Sequence, residues 1–173
     1  MTLKIKTILS TIFLLTLLQA CGVYSFTGTT ITAETISIGT FFNDASNGPA
    51  NLGVTFTDQL RDYFQSNTSL TQVNDGGELQ MEGSIVSYRI TPVAPSAAQS
   101  DRTRDVANLT RLTITVKVDY VNLENEDFSF TKNFSQFADF DSDLGITAVE
   151  GEKIDEIFEL IILDIFNASV ANW

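Results

Sequence analysis

Strict alternation of apolar and polar side chains over ten residues is the feature that most limits how this chain can fold. Between Arg111 and Tyr120 every second position is aliphatic or aromatic, and the positions between are polar or charged. Such a period is typical of a β-strand with one face buried and the other in water. The apolar set comprises Leu112, Ile114, Val116, Val118 and Tyr120. We therefore expect a sheet that is covered on one side only.

Three further segments carry strand signals. Residues 34–42 predict one strand, with Phe42 on the same side as the isoleucines. Residues 79–93 change the phase of their alternation, and a two-residue period can do so only through an extra residue, so we predict a bulge or bend near Val86–Ser87. The phenylalanines of residues 128–134 predict a return strand.

A dense cluster of turn formers stands between two of these segments. Asn74–Gly77 separates the short segment Leu70–Val73 from the strand that begins at Leu79. Asparagine, aspartate and glycine in this order are a strong hairpin signal. We therefore predict that the two segments pair as a β-hairpin.

Two segments have the period of an amphipathic helix. The first carries an apolar stripe from Leu52 to Phe64 and is expected to end near Asn67. The second is predicted to begin at Thr147 and Glu150, whose spacing is that of a capping box.

The apolar stripe of the second helix is wider than one sheet face needs. Beyond the core positions, Leu160, Ile162 and Leu163 are also aliphatic. Either this helix is deeply buried, or its second side contacts a partner. The pattern leaves both alternatives open.

Taken in order, these elements predict the fold class. Amphipathic helices flanking an antiparallel meander form an α+β fold. We expect a two-layer sandwich, with a mostly antiparallel sheet of about four or five strands and both helices packed on one face.

The N-terminal region has the features of a bacterial lipoprotein signal. Two lysines precede an uncharged run, Thr7–Leu18, which is too short to cross about 30 Å of hydrocarbon as a helix. A small residue, Ala20, then stands directly before Cys21, in a setting that resembles the bacterial lipobox. An ordinary signal followed by a free thiol is disfavoured, because this lone cysteine has no disulfide partner.

These features predict how the chain is processed and divided. Residues 1–20 form the signal peptide, cleavage falls between Ala20 and Cys21, and Cys21 carries the lipid. Residues 21–33 are expected to form an extended tether, and residues 34–173 a single α+β domain, a length that suits one core.

Composition excludes several classes of function. The signal holds two of the ten basic residues and no acidic ones, so eight basic side chains face 22 acidic ones in the mature chain, a net charge of −14. Nucleic acid is a poor partner for such a surface. The chain has no histidine and its one thiol is taken by the lipid, which removes histidine-dependent triads and the usual zinc sites. We expect no catalytic residues and no cofactor; a carboxylate-based hydrolase is a distant alternative.

One acidic segment has the spacing of calcium ligands. Asp139, Asp141 and Asp143 alternate, but the sixth position of the loop is Leu144, where a calcium loop requires glycine. We interpret the segment as a solvated acidic turn and predict no metal site.

Blocks of sequence along the mature chain resemble a known family. They are CGVYSF, FTDQLRDYFQSNTSL, GGELQMEGSIVSYRITPV, NLTRLTITVKVDYVN, FSQFADF and DEIFELIILDIFNASVANW. In this order and spacing they resemble LptE, the lipopolysaccharide-assembly lipoprotein, in its Bacteroidetes-type form. The resemblance implies a lipid-anchored protein on the periplasmic face of the outer membrane. Such a protein plugs and helps assemble the LptD β-barrel, which inserts lipopolysaccharide into the outer leaflet.

The resemblance also suggests where lipopolysaccharide is contacted. Family members from enteric bacteria are thought to use basic residues, and the local basic group here is Arg102, Arg104 and Arg111. The strongly negative charge opposes binding of phosphorylated sugars, so the alternative is that these arginines only face acidic neighbours. The alternative function is a periplasm-facing lipoprotein that binds or presents an amphiphile by itself, which requires an apolar pocket between helices and sheet.

Overall fold

The computed structural model describes residues 32–93 and 109–170. Within them lie β1 (Thr35–Ile38), β2 (Phe42–Asn43), α1 (Leu52–Asn67), β3 (Thr71–Val73), β4 (Leu79–Pro92), β5 (Leu109–Asn122), a 3-10 turn (Glu126–Phe128), β6 (Phe130–Asp141) and α2 (Ile146–Ser169). The predicted signal peptide, cleavage site, acylated Cys21 and most of the tether fall outside the described residues. Arg102 and Arg104 also fall outside them.

The strands form one open, mixed sheet. Its order is β3-β1-β4-β5-β6, and β2 also pairs with β4. β1 runs parallel to β3 and β4, whereas β4, β5 and β6 form a long antiparallel meander. Both helices pack on one face of this sheet, so the predicted α+β two-layer class is confirmed. Among the residues described, the sheet has six strands, where we predicted about four or five.

The additional strand arises from a break in the predicted strand 34–42. β1 ends at Ile38, and the chain resumes pairing only at β2. Between them Phe41 turns its side chain into the core, and its N–H donates to Thr57 Oγ1 of α1 at 2.9 Å. The break shifts the alternation by one position. Phe42, predicted on the same side as Ile36 and Ile38, is therefore 66% exposed, while those two isoleucines are buried.

The predicted hairpin at Asn74–Gly77 is wrong. β3 and β4 run in the same direction on opposite sides of β1, so residues 74–78 must cross that strand. Parallel connections usually take a dozen or more residues. This short one is possible because Gly77 has no side chain: a Cβ there would stand 2.5 Å from the Ser37 nitrogen.

The predicted bulge in the long strand is confirmed. The register of β4 against β5 shifts between Ile85 and Ser87, which leaves Val86 as the extra residue. The shift returns Tyr88 to the core, where its hydroxyl donates to Glu150 Oε1 of α2 at 2.6 Å. Burial, together with this hydrogen bond, raises the pKa of the Tyr88 hydroxyl, so it remains a donor at neutral pH.

The start of α2 lies where expected, but the capping box is wrong. Gly145 occupies the N-cap position with φ of +69°, a left-handed conformation that glycine adopts without steric cost. Thr147 lies inside the first turn, and no side chain caps the helix. Glu150 accepts from Tyr88, so its carboxylate is engaged with the sheet.

Aromatic rings fill the layer between the helices and the sheet. Phe56 of α1 packs edge to face on Phe41 and on Phe158 of α2, with ring centroids 5.0 Å apart in each pair. Farther along, Tyr63 and Phe166 repeat this geometry at 5.3 Å. Each such pair adds about 0.5–1.5 kcal/mol beyond the area it buries. The two helices are therefore joined to each other as well as to the sheet.

The wide apolar stripe of α2 divides into a buried and an exposed part. Ile162 is 2% exposed and belongs to the core, whereas Leu160 and Leu163 are 40% and 41% exposed. α2 is thus not buried on all sides. A partner contact on its second side stays a prediction.

Candidate functional site

The candidate site is the face of the β4-β5-β6 meander that is turned away from the helices. We call it the open face. Its side chains alternate with the core positions of the same strands and are partly or fully exposed. Its members are Gln80, Glu82, Ser84, Ser87, Arg89 and Thr91 of β4, Arg111, Thr113, Thr115, Lys117, Asp119 and Val121 of β5, and Thr131, Asn133, Ser135, Phe137 and Asp139 of β6.

Short polar side chains dominate the middle of the open face. Ser87, Thr115 and Ser135 lie in one row across the three strands. The hydroxyls of Thr115 and Ser135 are 2.9 Å apart and share a hydrogen bond. The row therefore forms a flat, uncharged polar strip that a second polar surface can approach closely.

One end of the open face carries a fixed carboxylate. Asp119 accepts a hydrogen bond from Thr131 Oγ1 at 2.6 Å and pairs with Lys117 Nζ at 3.2 Å. The Thr131 hydroxyl, followed by Lys117, lowers the pKa of this carboxyl. Asp119 is therefore ionised at neutral pH and is not a candidate proton donor.

The other end carries the described member of the predicted basic group. Arg111 donates from Nε and Nη2 to the two carboxylate oxygens of Asp139, at 2.7 and 2.8 Å. Its guanidinium also lies 3.6 Å from the ring centroid of Phe137. The hydrogen bonds raise the pKa of Arg111 and lower that of Asp139. The local charge of Arg111 is balanced, which weakens it as a phosphate contact.

In the acidic turn, Asp139–Asp143, carboxylates make hydrogen bonds and an ion pair within the fold. Asp139 is committed to Arg111, and Asp141 Oδ1 accepts from the Asp143 N–H at 2.9 Å. No group of three or more possible ligands converges within residues 32–93 and 109–170.

A groove beside the open face was missed by sequence reasoning. It lies between the β1–β2 segment and the meander, and its wall includes Gly39, the exposed ring of Phe42, Glu82, Lys117 and Asp119. Its only sequence signal is the irregular alternation at Phe41–Phe42, which gave no hint that the second ring turns outward. The groove widens the polar surface of the open face.

The filled layer between helices and sheet bears on the alternative function. Leu60, Phe64 and Ile161 are fully buried there, among the aromatic pairs described above. An amphiphile would have to displace these side chains to enter between the layers. This packing disfavours an amphiphile carrier built on that layer.

Comparison with known families identifies the family of this chain. The LptE family model, described as lipopolysaccharide-assembly, matches residues 33–169. The chain belongs to the LptE family. Its predicted family is thereby confirmed, and the match extends across both helices and the whole sheet. No curated protein matches the sequence.

Three solved structures share the LptE-like fold of this chain. A hypothetical protein, CT253 from Chlamydia trachomatis, has 12% identity and a TM-score of 0.53, covering 81% of this chain and 99% of its own. Lipoprotein B from Nitrosomonas europaea has 13% identity and a TM-score of 0.54, covering 80% and 83%. A minor lipoprotein from Acinetobacter baumannii has 12% identity and a TM-score of 0.50, covering 81% and 94%. At these identities the likeness concerns the fold.

Proposed function

We propose that this LptE-family protein is a lipid-anchored subunit that plugs and helps assemble an LptD-type β-barrel in the outer membrane. Through that barrel it serves the insertion of lipopolysaccharide into the outer leaflet. It acts by fitting another protein and catalyses no reaction. Membership of the LptE family supports a role in lipopolysaccharide assembly, and the absence of histidine from the whole sequence supports a non-enzymatic role.

The open face is the observation that carries this proposal. The meander strands β4, β5 and β6 are 14, 14 and 12 residues long, yet their outward side chains are mostly short and polar. The lumen of an outer-membrane barrel has polar walls. A broad polar sheet face matches such a wall, whereas an apolar face would be required for burial in lipid.

The anchor follows from the N-terminal sequence. Cleavage after Ala20 makes Cys21 the first residue of the mature chain, and acylation of Cys21 attaches several acyl chains. Together these chains hold a protein firmly at a membrane. Neither described helix has the length and hydropathy that spanning a membrane requires. No acidic run of the kind that resembles a surface-export signal follows Cys21, which favours the periplasmic face.

Direct contact with lipopolysaccharide is assigned to Arg102, Arg104 and Arg111. Arg111 is already paired with Asp139, so we expect Arg102 and Arg104 to contribute most. Reversing both to glutamate should reduce crosslinking of the protein to lipopolysaccharide, while Arg111→Gln should have the smaller effect. Equal loss from Arg111→Gln alone would contradict this ranking.

Co-purification tests the assembly role. The full protein, tagged and expressed at its native level, should bring down a large barrel from detergent-solubilised membranes. Ser135→Trp places a bulky ring on the exposed central polar row, where it should obstruct the close approach of the barrel wall. The recovered barrel should fall by at least about tenfold, which corresponds to a loss of roughly 1.4 kcal/mol of binding free energy. Asp58→Trp, at a position that is also exposed but lies on the outer side of α1, is the matched control. Recovery of free monomer alone would contradict the proposal.

Depletion separates assembly from simple carriage. When the protein is depleted, lipopolysaccharide should fail to reach the cell surface and the barrel should lose its correct fold. A barrel that folds normally while lipopolysaccharide fails to arrive would instead indicate a carrier.

A further inference from the structure

The two edges of the sheet are built very differently. One edge is β3, which is three residues long. The other is β6, which has 12 residues and pairs with β5 in unbroken register. No strand of the described residues pairs with the far side of β6. We call this far side the β6 edge.

Proteins usually protect a long edge strand from pairing with other chains. The usual means are a proline, charged side chains such as lysine, a bulge, a very short strand or a covering element. β6 contains no proline, its ladder with β5 has no bulge, and Lys132 is its single basic residue. The backbone N–H and C=O groups on the β6 edge therefore form a regular template for another strand.

An apolar ledge lies beside this edge. Gln136 of β6 donates from Nε2 to Asp164 Oδ2 of α2 at 2.7 Å, which shows which side of the helix runs along β6. Leu160 lies one turn before Asp164 on that side, and Leu163, three residues after Leu160, is the neighbour of Leu160 on the helix surface. Both are partly exposed. A strand added at the β6 edge would place alternate side chains on this ledge, defined as Leu160 and Leu163.

Charge distinguishes between possible occupants. Asp164 stands over the middle of β6, Asp141 is its last residue, and Asp143 follows two residues later. A second copy that paired around a two-fold axis at mid-strand would bring Asp164 toward its own counterpart, and would join two chains of net charge −14. An extended segment with basic residues meets no such opposition.

We infer that the β6 edge receives an extended segment of the barrel partner, with apolar and basic side chains on the side that faces α2. This inference rests on the proposed function, because the partner is the same barrel. The apolar side chains rest on the ledge, and a basic one lies near Asp164. The segment thereby extends the sheet by one strand.

Paired proline substitutions test the backbone contact. In an antiparallel ladder, adjacent residues point their N–H groups to opposite sides, so Lys132→Pro and Asn133→Pro remove one inward and one outward donor. The proline that removes an N–H bonded to β5 (the inward donor) should lower the stability of the fold. The outward change should leave the fold intact but reduce the recovered barrel by about tenfold or more. Lys132→Ala and Asn133→Ala keep the donors and are the references: the loss of barrel is measured for each proline variant relative to the alanine variant at the same position, so that any effect of removing the Asn133 side chain from the open face cancels.

Hydrogen exchange tests whether a partner strand pairs with the β6 edge, even if both proline variants unfold. In the full-length protein alone, the outward amides of residues 130–141 should exchange rapidly. In the barrel complex they should slow by about tenfold or more, since a paired N–H must open before it exchanges. A photocrosslinker at Leu163 should capture a barrel segment that contains lysine or arginine, and one at the exposed Val54 of α1 should not capture it.

The outcomes separate this inference from the proposed function. A complex that forms normally while the β6 amides exchange at unchanged rates overturns the inference and leaves the assembly role standing. Crosslinks from Leu163 to a second copy of this chain also overturn it. If the unaltered protein brings down no barrel, the assembly role fails and the inference fails with it.

Discussion

The two faces of β5 differ completely although they share one backbone. On the covered face Leu112, Ile114, Val116 and Val118 have no exposed surface. On the open face the alternate residues are short or charged and are partly exposed. The covered face belongs to the hydrophobic core that lies between the sheet and the helices. The open face makes its contacts mainly with its own neighbouring strands.

This difference assigns stability to one face and recognition to the other. Burial of apolar surface contributes about 25 cal/mol per Å², so the covered face dominates the free energy of unfolding. Exposed hydroxyl pairs and ion pairs contribute little. The open face can therefore be shaped for a partner without endangering the fold.

The largest expected effect breaks the covered face. Ile114→Ala should lower the free energy of unfolding by about 2–5 kcal/mol, because it leaves a cavity under the helices. Its neighbour on the open face, Thr113→Ala, should change it by less than about 0.5 kcal/mol. Denaturant unfolding of both full-length variants measures the contrast. Similar losses from the two would show that the faces are not distinct.

The next effect concerns a close backbone approach at the covered face. A Cβ at Gly83 would collide with the Lys117 carbonyl and stand 2.7 Å from the Phe41 ring. Gly83→Ala should therefore cost about 1–3 kcal/mol of stability. Gly151→Ala in α2 meets no atom within 4 Å and should instead add about 0.5–1 kcal/mol. Thermal unfolding distinguishes the opposite signs, and a neutral Gly83→Ala would contradict the packing.

A smaller effect is expected at the ion pair of the open face. Asp139→Asn should cost less than about 1 kcal/mol at neutral pH, since the Arg111–Asp139 pair is partly exposed. Arg111 lowers the pKa of Asp139 in the folded state, so the contribution is full above the unfolded value and is lost as pH falls below about 4. Unfolding curves of the unaltered protein and the variant should therefore converge in acid. A difference that grows on acidification would contradict this sign.

The smallest effect sharpens the comparison in the central polar row. A double-mutant cycle of Thr115→Val and Ser135→Ala should give a coupling of about 0.2–1 kcal/mol, as for other cross-strand pairs. The single variants should leave the fold and its melting temperature nearly unchanged. A coupling above this range would mean that the open face, and not only the covered face, stabilises the fold.

Segments with regular periods were predicted well. The alternation of β5 and the apolar stripes of α1 and α2 were confirmed, because each period matches one covered face and needs no knowledge of the neighbour. The bulge at Val86 was also predicted, since a change of phase along one strand is itself a local signal.

The errors occurred where distant segments meet. Asn74–Gly77 carries hairpin chemistry, but β1 competes successfully for the edge of both β3 and β4. Thr147 and Glu150 have capping-box spacing, but the hydroxyl of Tyr88 captures Glu150 from across the fold. In the candidate site, Arg111 could be named in advance, whereas its neutralisation by Asp139 depends on strand register.

Sequence by itself determined the apolar periods, the absence of histidine and the family resemblance, because each is a property of residue type and spacing along the chain; the lipobox at Cys21 stays a prediction from the same kind of pattern. Only the tertiary structure decided that β1 lies between β3 and β4, that Phe42 turns outward and that, within residues 32–93 and 109–170, no strand pairs with the far side of β6. These features depend on which strands pair. Pairing is a competition between distant segments for the same backbone hydrogen bonds, and no local pattern records its result.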